Sequence, residues 1–248
     1  MKLCKNPVIR IFFILILVAL NAQHVHGEEK YFEGIIEPSE LVKVSSSVEG
    51  ILEEVFFDRG ETVKKDQIIA FLNSNIEKAA ADLALARVDF SRRKVERNED
   101  LYKKQLVSIH DKDEMETELK IAELQYKEAR EKVEIKNIRS PVDGVVVERF
   151  LSRGEYVGDE PIMSIAQIDP LYVEVVIPSE EFGRIKKTTP ATIKIENPVF
   201  RELTAIVSVV DPVIDAASST IGVRLVLPNP GYSLPAGIKC KVFFISLQ

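Results

Sequence analysis

The feature that most constrains this chain is a repeat broken in two. Residues 46–72 (SSVEGILEEVFFDRGETVKKDQIIAFL) and 140–166 (SPVDGVVVERFLSRGEYVGDEPIMSIA) align at a constant offset of 94 without a gap. They are identical at ten positions: Ser46/Ser140, Val48/Val142, Gly50/Gly144, Glu54/Glu148, Phe56/Phe150, Arg59/Arg153, Gly60/Gly154, Glu61/Glu155, Val63/Val157 and Ile68/Ile162. Each copy carries short apolar runs punctuated by glycine, the pattern of strands joined by turns that need positive φ. Neither copy can bury its apolar face alone, so the two are expected to pack face to face. The 67 residues between them, 73–139, must leave and re-enter that unit.

The insertion reads as two helices. Residues 75–105 contain no Gly or Pro and are rich in Ala, Leu, Glu, Lys and Arg, which favours one continuous helix. Ile76, Leu83 and Phe90 recur at seven, as do Ala81, Val88, Val95 and Tyr102, giving a broad apolar face. In the second arm Met115, Leu119, Ala122, Tyr126, Ala129 and Val133 follow the 4,3,4,3,4 spacing of a coiled-coil seam. At 1.5 Å per residue, arms of about 30 residues make a rod of roughly 45 Å, too long to bury in so small a core. The rod must project. Its turn lies at Leu106 to Asp111, with Ser108 as N-cap and Asp111 placed where an acid faces free amides.

The ends of the chain differ from this middle. Lys2, Lys5 and Arg10 precede a ten-residue apolar run, residues 11–20, and Val25-His26-Gly27 follows as a cleavage site. Residues 1–27 are read as a secretory signal, with an uncleaved anchor as the alternative; the run is short for a membrane span. Without it the chain carries 30 Lys+Arg against 39 Asp+Glu, a net charge of −9, which phosphate backbones would repel; no nucleic-acid partner is expected. One Cys (Cys240) and one His (His110) then remain. That census leaves no intrachain disulfide, no Cys/His zinc cluster and no serine-histidine triad with a spare histidine. Cys240 alternates with apolar neighbours and reads as a small buried hydrophobe. Strands are expected at residues 171–177, 191–196, 203–210, 220–227 and 238–246, with a short helix from Pro178-Ser179 through Ile185. Residues 31–44 read as two short strands around a Glu37-Pro38-Ser39 turn, the first completing a small antiparallel barrel.

A split β repeat with a helical insertion resembles the lipoyl domain of the periplasmic adaptor proteins, or membrane fusion proteins, of the haemolysin D-like family. The re-entry sequence Arg139-Ser140-Pro141-Val142-Asp143-Gly144 resembles the family's own. So do the barrel segments Asp211 to Asp215, Thr220 to Arg224 and Leu234 to Gly237. The resemblance spans nearly all of the chain after residue 33. It implies a mainly β fold with a coiled-coil insertion: N-terminal strands at 28–45 contributing to the barrel, a lipoyl-like sandwich of 46–72 and 140–166, an α-helical hairpin at 73–139, and a β-barrel at 167–248. Arg97, Leu101 and Ser108 match the R-x3-L-x6-S motif with which adaptors of the resistance-nodulation-division type meet an outer-membrane channel. Steps of four and seven would set all three on one helical face.

The resemblance implies a non-enzymatic periplasmic adaptor in a tripartite efflux system. Such a subunit joins an inner-membrane transporter to an outer-membrane efflux channel, exports small molecules and assembles as a trimer or hexamer. The same resemblance implies a membrane-proximal domain after the barrel, built from both chain ends; eleven residues follow Gly237, so docking on a transporter is expected either to be lost or to fall to the barrel. No cofactor is expected: true lipoyl carriers place the modified lysine at the hairpin joining the halves, where this chain has its insertion, and Lys64 and Lys65 lie within a half-motif. The alternative is a cell-envelope scaffold that uses the hairpin for assembly without a conduit.

Overall fold

A computed structural model describes residues 30–197 and 200–245. The proposed signal segment lies outside the described residues. Among the described residues, twelve strands and two helices are arranged as a split sandwich, a helical hairpin and a barrel.

The two repeat copies interlace instead of merely stacking. In the first copy β2 (Gly50–Val55), β3 (Thr62–Val63) and β4 (Ile68–Leu72) follow one another. The second copy supplies β6 (Gly144–Arg149), β7 (Tyr156–Val157) and the start of β8 (Met163–Pro178). Each copy's short middle strand pairs with the first strand of the other copy: β7 with β2, and β3 with β6. The hydrogen bonds repeat at the same offset. Gly60 N donates to Val146 O and Gly154 N to Leu52 O, both at 2.8 Å. Gly60 and Gly154 sit at φ 90° and 89°, so the conserved spacing of glycine is a backbone requirement in both turns. Glu61 and Glu155 accept from the Asp58 and Ser152 amides, and Ser46 and Ser140 donate to Val48 O and Val142 O at 2.6 Å. One sheet has the order β5-β4-β2-β7, with β5 at Asn137–Arg139; the facing layer is β3-β6-β8 with β1. Between them lie Leu52, Val63, Ile69, Leu72, Val146, Val157, Ile162 and Ile165, nearly all without solvent contact.

Two long strands carry the chain from sandwich to barrel. β1 runs unbroken from Phe32 to Val44, so the expected turn at Glu37-Pro38-Ser39 is not there. Pro38 is accommodated by a bulge against β8, where the register shifts between Pro38 and Glu40. β8 is likewise one 16-residue strand that continues upstream of the expected start at Leu171. Together they form a ribbon paired from Gly34↔Val175 to Val44↔Met163. At its far end β1 also pairs with β12 (Ile238–Phe244), which closes a six-stranded barrel in the order β1-β12-β9-β10-β11-β8, with β9 at Pro190–Ile195, β10 at Arg201–Val210 and β11 at Thr220–Leu227. Alternate residues of each strand point inward to a core that includes Ile36, Val173, Ile193, Val223, Leu225, Val242 and Phe244. The expected helix through Ile185 is only a three-residue 3-10 turn, Ser179–Glu181. Cys240 is buried in the barrel wall, and burial pushes its thiol pKa up to about 11, as suits a small hydrophobe.

Candidate functional site

The hairpin helices α1 (Asn75–Lys103) and α2 (Ile109–Glu134) leave and re-enter the sandwich between β4 and β5. Leu72 N donates to Lys136 O and Asn73 N to Ile51 O, each at 2.9 Å, so the root is hydrogen-bonded into the sheet. Lys136 adds a 3.3 Å ion pair to Glu77 in the first turn of α1 and a bond to Glu49 O. Twenty-nine residues give α1 a length of about 44 Å, projecting beyond both β modules.

Along this rod the α2 seam is the one expected: Met115 and Ala122 are buried, and Leu119, Tyr126, Ala129 and Val133 are half-buried. On α1 the expected Ala81, Val88, Val95 and Tyr102 are inside, and the rest of the expected face is not. Ala81, Ala84, Val88, Ser91, Val95, Asn98 and Tyr102, spaced 3,4,3,4,3,4, turn inward. Ile76, Leu83 and Phe90 lie outside at 83, 60 and 60% exposure, so they are not part of the seam. Small residues on α1 let the helices approach closely, and the more apolar line is left free. Lys94–Glu118 and Arg92–Glu123 ion pairs bridge the arms at 2.6 and 3.4 Å, and Lys112 Nζ lies 4.7 Å from the Tyr102 ring centroid just below the tip.

The turn itself is closed from both sides. Leu106 N donates to Leu101 O (2.9 Å) and Gln105 N to Tyr102 O (2.8 Å), a Schellman ending in which Gln105 takes φ 59° where glycine is usual. Ser108 then caps α2 in a full capping box: Asp111 N donates to Ser108 Oγ at 3.2 Å, and Ser108 N to Asp111 Oδ2 at 3.3 Å. The Ser108 side-chain bond, followed by its amide, holds the Asp111 carboxyl below its ordinary value.

Arg97, Leu101 and Ser108 are all exposed near this end of the rod. They do not share one helical face, because α1 stops at Lys103 and Ser108 belongs to the second arm; the Schellman turn, not helical periodicity, brings Ser108 to the tip. The Arg97 Nε donates to Arg93 O at 3.2 Å, and its charge has no ion-pair partner among the described residues. Two residues not singled out in the sequence complete the surface. Leu106 and Ile109 are 70 and 66% exposed, the most exposed apolar side chains of the tip. Their signal was available: two aliphatic residues flanking an N-cap in a segment that must face solvent. The arrangement offers an apolar knob at the tip, with the exposed Arg97 one turn before Leu101 on α1, suited to interlocking with another protein. Among the described residues there is no metal-ligand cluster, and no helix is long and apolar enough to cross a membrane.

A family model for the CzcB-like, barrel-sandwich hybrid domain matches residues 40–167, and one for the CusB-like, beta-barrel domain matches residues 170–246. Multidrug resistance protein MdtE of Escherichia coli is 25% identical over 235 residues, covering 81% of this chain and 60% of that protein. The solvent efflux pump periplasmic linker SrpA of Pseudomonas putida is 25% identical over 214 residues, covering 80% of this chain and 56% of that protein. The chain thus spans less than two thirds of the length of these relatives. In fold it resembles a MacA-MexA chimeric protein containing the Pseudomonas aeruginosa MexA α-hairpin domain, with a TM-score of 0.73 at 20% identity over 88% of this chain and 81% of that one.

Proposed function

We propose, since this chain belongs to the family of CzcB-like barrel-sandwich hybrid domain proteins, that it is the periplasmic adaptor of a tripartite efflux system. In this reading the hairpin tip meets an outer-membrane channel, and the barrel faces an inner-membrane transporter of the resistance-nodulation-division type. The exported compounds are small molecules, and copies of the chain assemble in a closed ring of three or six. The observation that carries the proposal is the tip: a rod of about 44 Å ends in exposed Leu101, Leu106 and Ile109, with Arg97 one turn before Leu101, and among the described residues this surface has no ion-pair partner and nothing that covers it. The names of its relatives, an efflux pump periplasmic linker and a multidrug resistance protein, support the same direction. Energy for transport would come from the transporter.

The test is site-specific cross-linking in the native envelope, with a photoreactive amino acid in place of Ser108 and mass spectrometry of what it captures. The expected product joins the chain to an outer-membrane channel protein. Capture only of the chain itself, or only of peptidoglycan-associated proteins, would overturn the adaptor reading in favour of an envelope scaffold.

A further inference from the structure

Between the root of the hairpin and the β5-β4-β2-β7 sheet lies a cleft of about 720 Å³, within the range of small-molecule sites. Its apolar floor is formed by Ile68 and Phe71 of β4 and by Phe56, just past β2. The Phe56 and Phe71 ring centroids are 5.5 Å apart, and Phe56 is 46% exposed although it belongs to the sandwich. Its repeat partner Phe150 is likewise exposed, at 39%, but at the offset of 94 Phe71 corresponds to Ile165 and Ser74 to Ile168, so the other walls of the cleft are particular to the first copy.

The polar groups around that floor are few. Ser74, the residue before α1, is only 5% exposed, yet its side chain makes no capping bond and has no hydrogen-bond partner among the described residues. The hydroxyl is not sealed off with the rest of the residue: it is left open to solvent in the cleft that Ser74 lines. Lys78 follows one turn along the same helical face, with no ion-pair partner among the described residues. Across the cleft Arg139 donates through Nη1 to Asp66 O at 2.9 Å and reaches Glu134 at 3.6 Å, which leaves N–H donors for a further acceptor. Among the lining side chains two cations, Lys78 and Arg139, stand against one carboxylate, Asp66, and the positive end of the 29-residue α1 macrodipole lies at Ser74.

We infer that this cleft binds an amphiphilic organic anion, its flat aromatic body on Phe56 and Phe71 and its carboxylate or sulfonate directed at Ser74, Lys78 and Arg139. The aromatic floor supplies burial, and the anion satisfies a hydroxyl and two cations that the protein leaves incompletely paired. The site rests on the geometry of the cleft and stands or falls independently of the export reading, because it is read on the purified chain.

Isothermal titration of the purified chain tests it with three ligands of one shape: naphthalenesulfonate, neutral naphthalenemethanol and cationic naphthylmethylammonium. One saturable site is expected, tightest for the sulfonate and weakest for the cation, with sulfonate affinity falling as salt rises. Lys78→Glu should weaken sulfonate binding by about tenfold while changing the neutral ligand less than about threefold. Ser74→Ala should weaken it about threefold with an unchanged melting temperature, because the hydroxyl makes no bond in the free protein. Lys104→Glu at the other end of the hairpin should change nothing. No saturable binding at millimolar sulfonate, equal affinity for all three ligands, or sulfonate binding by folded Lys78→Glu as tight as the parent's would overturn the proposal.

Discussion

At the scale of single residues, the repeat makes an internal comparison possible. Gly50 and Gly144 occupy equivalent positions, but a Cβ at Gly144 would stand 2.3 Å from Ala166 O, while one at Gly50 would meet only Leu72 at 3.4 Å and the Lys136 ammonium at 3.5 Å. Gly144→Ala is therefore expected to cost about 2–3 kcal/mol in urea unfolding by forcing β6 off β8, and Gly50→Ala less than about 1 kcal/mol; equal losses would mean that the close approach is not what selects glycine. Asn229 is a second such residue. Its buried amide donates to Ile168 O (2.8 Å) and Leu234 O (2.9 Å) and accepts from Leu234 N (2.9 Å), stitching the loop before β12 to β8. Asn229→Leu would strand those backbone groups and should destabilise the barrel by about 3 kcal/mol, measured by thermal unfolding. Of these residues only the glycines were legible in the sequence, as repeat identities. Asn229 was not, because an Asn between two prolines reads as turn chemistry, and its partners Ile168 and Leu234 are gathered by tertiary closure alone.

At the scale of elements, legibility followed how strongly local pattern and packing agree. The α2 seam was read residue by residue because its most apolar line is also its inner line. On α1 the two diverge in part: Ala81, Val88, Val95 and Tyr102 were read and do turn inward, but Ala84, Ser91 and Asn98 join them for their size, and the hydropathy of Ile76, Leu83 and Phe90 marks a line that lies outside. β1 and β8 were split in the reading because proline and polar residues at 37–40 and 167–170 signal turns, and only their mutual pairing makes each one strand. The root of the hairpin gives a prediction in pH. Glu77 is held below its ordinary 4.5 chiefly by a bond from its own backbone amide and then by Lys136. A depressed carboxyl contributes its stabilisation in full above the unfolded value of about 4.5 and loses it as pH falls through the lower folded value. Amide exchange in the first turn of α1 should therefore quicken, relative to the middle of the helix, as pH drops below about 4.5, after correction for intrinsic rates. In Glu77→Gln that turn should already exchange fast at neutral pH and show no further acid step. An acid step unchanged in the variant would assign the titration to another group.

At the scale of the whole molecule, the β1–β8 ribbon and the hydrogen-bonded hairpin root join barrel, sandwich and rod into one continuous body, so a load at the tip can reach the barrel without passing through a loose linker. The tip itself contributes little to that body. Among the described residues the Arg97 side chain hydrogen-bonds to the Arg93 carbonyl one turn back and to no other group, and Arg97 lies off the 81-84-88-91-95-98-102 seam. Arg97→Asp should therefore leave the melting temperature within about 1 °C of the parent, as a surface substitution away from packed contacts does. If the tip docks on a channel, however, the same change places a carboxylate where a cation met its partner and should abolish export in cells that contain normal amounts of the protein. A milder variant separates charge from shape: Arg97→Lys keeps the cation but loses the planar fork, and is expected to retain partial export if the partner presents a carboxylate or carbonyl pair. Leu106→Ala should reduce export without reversing any charge, because it trims the apolar knob that nothing among the described residues covers. Export rates from fluorescent-substrate efflux, read beside immunoblot levels and thermal unfolding of each variant, decide it. Unchanged efflux in folded, normally abundant Arg97→Asp and Leu106→Ala would remove the tip from the transport pathway and leave the rod as a strut.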